Sequence, residues 1–245
     1  MEMKNRIYLT FDMDWACDEL MNFLYNLLEE NGLSATVNIT NDFAFMEKYK
    51  KNERIDLGIH PNFNRLIDGI AGGGVNDKKS IMEQCKRVVP NAVVVRSHAL
   101  FSSTPVTKIF YDYGIRYELN CYLEPCKGMC IYPWFLHGVL QIPFFYEDDI
   151  YLMGRSRNKP AFYLDHTIKM YRVFNFHPIH LFLNSESLER YERIKENYHN
   201  FSVLKENVNH DSYGILDFFR ELVETVKVQG YQFGKITEIE ERVYS

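Results

Sequence analysis

The chain is predicted to be an α/β protein built on a parallel sheet or barrel, and three observations predict it. Between Ile7 and Asn120, short apolar and β-branched runs alternate with stretches of helical periodicity, giving four βα units in succession. Several of these runs stop abruptly at a side chain capable of chemistry. No internal repeat or Pro/Ser-rich linker interrupts the chain, and 46% of its 245 residues are hydrophobic, so residues 1–245 are read as one domain around a sizeable core.

The first strand is Ile7–Phe11, followed at once by Asp12 and Asp14. Their i, i+2 spacing would place both carboxylates on one face of an extended chain. A polar strand end that merely caps the next helix is the alternative. Ala16–Asn31 carries Leu20, Phe23, Leu24, Leu27 and Leu28 at helical spacing, and Asn31-Gly32 supplies the stop. Ser34–Thr40 reads as a strand, Asp42–Lys50 as a short helix, and Ile55–His60 as a strand ending in a histidine. Asn62–Asn76 contains Gly72-Gly73-Gly74 and reads as a loop that follows no phosphate-binding pattern. Asp77–Val88 is a predicted helix, and Ala92–Val95 a buried strand that delivers Arg96, Ser97 and His98. Thr104-Pro105 opens the next helix with proline in its first turn, and Tyr117–Asn120 is a short strand. Cys121–Lys159 breaks into irregular pieces rich in Pro, Gly and aromatics. Met170–Phe176 restores a strand, ending in His177-Pro178. Ser185–Tyr198 and Gly214–Gln229 read as helices, and Tyr231–Ile236 as a last strand.

Composition excludes some classes. A net charge of −5 argues against a general binder of phosphate backbones, so no nucleic-acid partner is expected. No apolar run is long enough to span a bilayer. The N-terminus enters the first strand without a secretory signal. With five cysteines, an odd number, this points to free thiols and a cytoplasmic protein. Cys121, Cys126 and Cys130 match neither the usual zinc spacing nor the common cluster ligands.

The chemistry collects at strand ends: Asp12 and Asp14, His60, Arg96 with His98, and His177. A barrel brings its strand ends to one mouth, so these groups could meet. One aspartate with two histidines suits Zn²⁺ or a similar divalent ion and leaves positions open for water and substrate. Taken singly, each histidine could equally be structural.

Thr10-Phe11-Asp12-Met13-Asp14, Gly58-Ile59-His60-Pro61-Asn62-Phe63-Asn64, Arg96-Ser97-His98 and Phe176-His177-Pro178 resemble, in order, motifs of the polysaccharide deacetylases. This is the NodB-homology superfamily, carbohydrate esterase family 4, and the chain resembles a divergent member from about Ile7 to Leu183. The resemblance implies a single-domain distorted (β/α) barrel and metal-dependent hydrolysis of N-acetyl, sometimes O-acetyl or N-formyl, groups. It implies Asp12 as catalytic base and Asp14 as metal ligand, with Met13 inserted between them. It also implies Arg96 holding the catalytic aspartate and His177 as general acid, with His180 as a rival. Asp148, within Phe145–Asp149, falls where the family has an acidic residue and could orient Arg96, although Glu147 and Asp149 compete for that place. The family's second motif, His-x-x-x-His, is His60-x-x-x-Asn64 here. The expected metal set is therefore Asp14, His60 and His98, with Asn64 as the alternative to His98. Zinc is the expected metal, with cobalt, nickel or manganese possible. The expected substrate is a polysaccharide or a small, lipid- or nucleotide-linked acetylated amino sugar. Hydrolysis of another amide, or carbohydrate binding without catalysis, are the alternatives.

Overall fold

The computed structural model describes residues 5–67, 77–154 and 157–239. The chain begins with β1 (Arg6–Asp12), α1 (Asp18–Asn31), β2 (Ala35–Ile39), α2 (Met46–Lys51) and β3 (Ile55–Ile59). A single turn, α3 (Asn64–Ile67), then leads to α4 (Lys78–Val88), β4 (Val94–Val95), α5 (Thr104–Asp112) and β5 (Tyr117–Glu118). The middle of the chain holds β6 (Trp134–Leu136), β7 (Val139–Gln141), β8 (Tyr146–Glu147), α6 (Asp148–Leu152) and α7 (Pro160–Tyr163). After these come β9 (Arg172–Phe176), α8 (Pro178–Leu183), α9 (Leu188–Ile194), α10 (Phe201–Glu206), α11 (Ile215–Val228) and β10 (Gln232–Gly234).

The strands form one curled sheet in the order β6-β7-β5-β4-β3-β2-β1-β9-β8. Every pairing is parallel except β6 with β7. β1 is paired along both edges. β9 covers one edge of β1, while β10 takes the first half of the other edge and β2 the second half. The sheet is the open, distorted barrel expected of an α/β chain.

Alternation along β1 sorts its residues. Ile7, Leu9 and Phe11 point into the main core with Val37, Phe174 and Phe176, under α1, α8 and α11. Tyr8 points to the opposite face, into a second cluster with Val94, Tyr117, Leu140, Phe144 and Val173. Above that apolar plug, toward the carboxyl ends of the strands, the same face turns polar with Thr10, Asp12, Asn38, Arg96 and Asn175, all buried. Because the pairing is parallel, these ends share one edge.

Several boundaries differ from expectation. β1 stops at Asp12, so Asp14 is not held by the strand pleat. Met13 is buried in the main core, and Asp14 and Trp15 follow in the left-handed region (φ 45° and 57°). Asp42–Ala44 remains loop, and Asp77 caps α4 by accepting from the Ser80 amide at 2.9 Å. The irregular stretch 121–159 contributes β6, β7 and β8, strands of two or three residues that are too short to show periodicity. Gly72-Gly73-Gly74 lies outside the described residues. The cysteines are unpaired, and Cys121, Cys126 and Cys130 do not cluster as a metal group among the described residues.

Candidate active site

The carboxyl edge of the sheet gathers Asp12 from β1, His60 after β3, Arg96 after β4, Asp148 after β8 and His177 after β9. Asp12 is almost fully buried and held from three sides. Asn38 Nδ2 donates to its Oδ1 and Asn175 Nδ2 to its Oδ2, each at 2.8 Å. Arg96 Nη1 stands 3.4 Å from Oδ1. Burial alone would raise the Asp12 pKa, but Arg96, His60 and His177 outweigh it and hold the carboxyl below its ordinary range.

Arg96 is completely buried. Its Nη1 donates to Thr10 Oγ1 at 2.8 Å and to Asn175 Oδ1, its Nε donates to the Leu119 carbonyl at 3.0 Å, and its guanidinium lies over the Phe144 ring. The expectation that Asp148 orients Arg96 is corrected, because Asp148 serves His177. The β8–β9 pairing sets Glu147 beside Asn175, which carries Asp148 to the start of α8. Asp148 Oδ1 lies 2.7 Å from His177 Nδ1, and its Oδ2 accepts from the His177 backbone N–H at 2.7 Å. His177 Nε2 faces Asp14 Oδ2 at 3.4 Å. Burial would lower the His177 pKa, but Asp148, Asp149 and Asp14 together raise it well above the usual histidine value. His180, the rival acid, is engaged elsewhere: its Nε2 lies 2.7 Å from Asp149 Oδ1 and its Nδ1 3.1 Å from Ser185 Oγ.

Asp14 reaches the site through the two left-handed residues of its turn rather than through strand alternation. Its Oδ1 lies 2.8 Å from His60 Nε2 and 3.1 Å from His98 Nδ1. His98 sits in a 3₁₀ turn (His98–Leu100) whose next two residues, Ala99 and Leu100, are again left-handed (φ 55° and 54°). Four such non-glycine residues around one carboxylate mark a site that its surroundings force into shape. Burial opposes ionisation of Asp14, but His60, His98 and His177 keep its carboxyl well below the ordinary range.

Asp14, His60 and His98 each offer a ligand atom, and these atoms lie within 4.8 Å of one another. His60 is buried, and neither ring nitrogen has an aligned hydrogen bond despite the 2.8 Å approach of Asp14. An orphaned imidazole converging with a carboxylate and a second imidazole fits a divalent cation of zinc-like preference. Asn64 opens α3, and its backbone N–H donates to Asn62 Oδ1 at 2.8 Å.

All the expected site residues therefore meet at one edge: Asp12, Asp14, His60, Arg96, His98, Asp148 and His177. Asn38, Asn175 and Thr10 were missed. Each is a polar residue on the inward face of an otherwise apolar strand, and that mismatch was the available signal.

Residues 9–195 match the sequence profile of the WbmS-like polysaccharide deacetylases. A crystal structure from Bordetella bronchiseptica, of a proposed polysaccharide deacetylase involved in O-antigen biosynthesis (WbmS), is 32% identical. It aligns over 91% of each chain with a TM-score of 0.82. A family 4 carbohydrate esterase from Streptomyces lividans, solved with acetate, shares the fold at 10% identity (94% and 92% of the two chains, TM-score 0.53). So does a family 4 pseudoenzyme from Bacillus anthracis at 13% identity (98% of this chain, 66% of that one, TM-score 0.50). A search of curated proteins gave no match.

Proposed function

Since the chain belongs to the WbmS-like polysaccharide deacetylase family, we propose that it is a metal-dependent hydrolase. In this reading it removes the N-acetyl group from an amino sugar of a surface polysaccharide or its precursor. The observation that carries this reading is the convergence of three ligand atoms, from Asp14, His60 and His98, beside a buried carboxylate and a carboxylate-held histidine. The B. bronchiseptica relative, named for O-antigen biosynthesis, supports the choice of substrate class.

Asp14, His60 and His98 would hold the cation, zinc by the chemistry of the set. Bound there, it would polarise the acyl carbonyl and acidify the attacking water. Asp12, kept ionised by Arg96 and steered by two amide donors, takes the water's proton as its oxygen adds to the carbonyl carbon. His177, kept protonated by Asp148, gives its Nε2 proton to the leaving nitrogen as the C–N bond breaks, and acetate and a free amine depart. Arg96 does not touch substrate in this scheme; it positions Asp12 and Asn175. The whole described chain acts as one catalytic unit. The unpaired cysteines suit a reducing compartment, and so a lipid- or nucleotide-linked precursor. No described helix is long and apolar enough to cross a membrane.

The test is acetate release from nucleotide-linked and oligomeric N-acetyl amino sugars, with N-formyl counterparts in parallel. Asp12→Asn should lower turnover about 10³-fold, the range of a lost general base. Turnover equal to wild type in that variant would remove Asp12 from the mechanism.

A further inference from the structure

Beyond the residues already assigned, we propose that Tyr191 is a substrate-contacting residue whose phenol O–H hydrogen-bonds the sugar on the leaving-group side of the scissile amide. This rests on the hydrolase reading given above.

Three rings lead outward from the acid. The His177 ring lies 6.0 Å from that of His180, and the His180 ring meets the edge of Tyr191 at 5.4 Å. His180 is locked between Asp149 and Ser185, so Tyr191 packs on a fixed support. Tyr191 is half-buried on α9, and its hydroxyl makes no hydrogen bond to any described residue. Unlike the hydroxyl of Tyr146, it is not sealed from solvent, so a ligand can take the place of water on it. Burial first, then the carboxylates of Asp14 and Asp149, push its pKa to about 12, and Asp14 also raises that of Tyr198. The phenol thus lies in the field of both a metal-side carboxylate and an acid-side carboxylate, and keeps its proton at any working pH.

Side follows from chemistry. His177 must face the leaving nitrogen, and that nitrogen carries the sugar. A residue that reaches the site along the His177–His180 row therefore meets the sugar and not the acyl group. A neutral O–H donor beside carboxylates that can only accept suits a ring hydroxyl, which both donates and accepts.

Tyr191→Phe removes the hydroxyl and keeps the ring on His180. The probes are the pentamer of N-acetylglucosamine, for binding by calorimetry and for acetate release, and p-nitrophenyl acetate, which has no sugar. In Tyr191→Phe, pentamer affinity and kcat/KM should fall about tenfold, the effect of one hydrogen bond. Metal content and p-nitrophenyl acetate hydrolysis should stay at wild-type levels. Unchanged pentamer binding and kcat/KM would overturn the proposal, as would equal losses on both probes, which would mark a structural role through His180. Weaker pentamer binding in a protein that releases no acetate would keep the sugar contact and remove the hydrolase reading. Metal-dependent ester hydrolysis with pentamer kinetics indifferent to Tyr191→Phe would do the reverse.

Discussion

Asp148 and Glu147 are neighbours in sequence with opposite surroundings. Asp148 is gripped by the His177 ring and backbone and holds the imidazole as a proton donor aimed at Asp14. Asp148→Asn keeps the size and loses the charge. Turnover should fall about 10²-fold, in the range of general-acid contributions, with metal stoichiometry unchanged in the same preparation. Loss of metal together with activity would mean that Asp148 supports the ligands instead. Glu147 carries a sealed Oε2 with no partner, and burial pushes its pKa up to about 8 against the attractions of His177 and Arg96. Its folded pKa lies above the unfolded value, so between about pH 4.5 and 8 the folded state holds the extra proton and stability falls as pH rises. Glu147→Gln cannot titrate. Its stability should exceed that of wild type increasingly across this window, by a few kcal/mol at most on the order-of-magnitude conversion of a pKa shift. Denaturant unfolding at pH 5 and pH 8 checks this, and parallel pH dependence in both proteins would contradict it.

At the scale of elements, the site depends on how closely β3 approaches β2. A Cβ on Gly58 would collide with Asn38 Oδ1 and lie 3.0 Å from the Val94 carbonyl oxygen. Since Asn38 Nδ2 is one of the donors fixing Asp12, Gly58→Ala should act on the site from outside it. Overpacking of this kind costs about 1–3 kcal/mol, and here a fall in turnover should exceed what lost folding explains. Thermal unfolding and turnover measured on one sample separate the two, and full specific activity in folded Gly58→Ala would show that Asn38 is dispensable. Elements with a full period were legible: α1 and α11 from their apolar stripes, β1 and β9 from their β-branched and aromatic runs. β6, β7 and β8 were not, because two or three residues carry no periodicity and their stability comes from neighbours on the sheet. The same shortfall misplaced Asp148. Its partner follows from the β8–β9 register, which local sequence does not encode.

For the molecule as a whole, the sheet keeps two chemistries apart on its faces. Along β1 one face is apolar, while the other is apolar at the amino end and polar at the carboxyl end, where Asn38 of β2 and Asn175 of β9 join it. That division explains why strand endings could be read as site residues from sequence, whereas Asn38 and Asn175 signalled only a polar residue out of place and not what it supports. They lie inside strands, and their role appears only when β2, β1 and β9 stand side by side. The strand-spacing argument for Asp14 does not hold, since Asp14 leaves the strand and returns through a left-handed turn, and only the motif resemblance led to it. His98, offered because it follows Arg96 at a strand end, arrives within reach of Asp14 through the 3₁₀ turn.

The central claim is a divalent cation held by Asp14, His60 and His98. Its most direct test is elemental analysis of the protein after loading with zinc and desalting, beside Asp14→Ala and His98→Ala whose folding is checked by circular dichroism. The account predicts about one zinc per wild-type chain, with the metal lost in both folded variants, as removal of a first-sphere ligand requires. Zinc retained in His98→Ala would break the ligand set, and a folded wild-type protein that holds no metal after loading would contradict the claim outright.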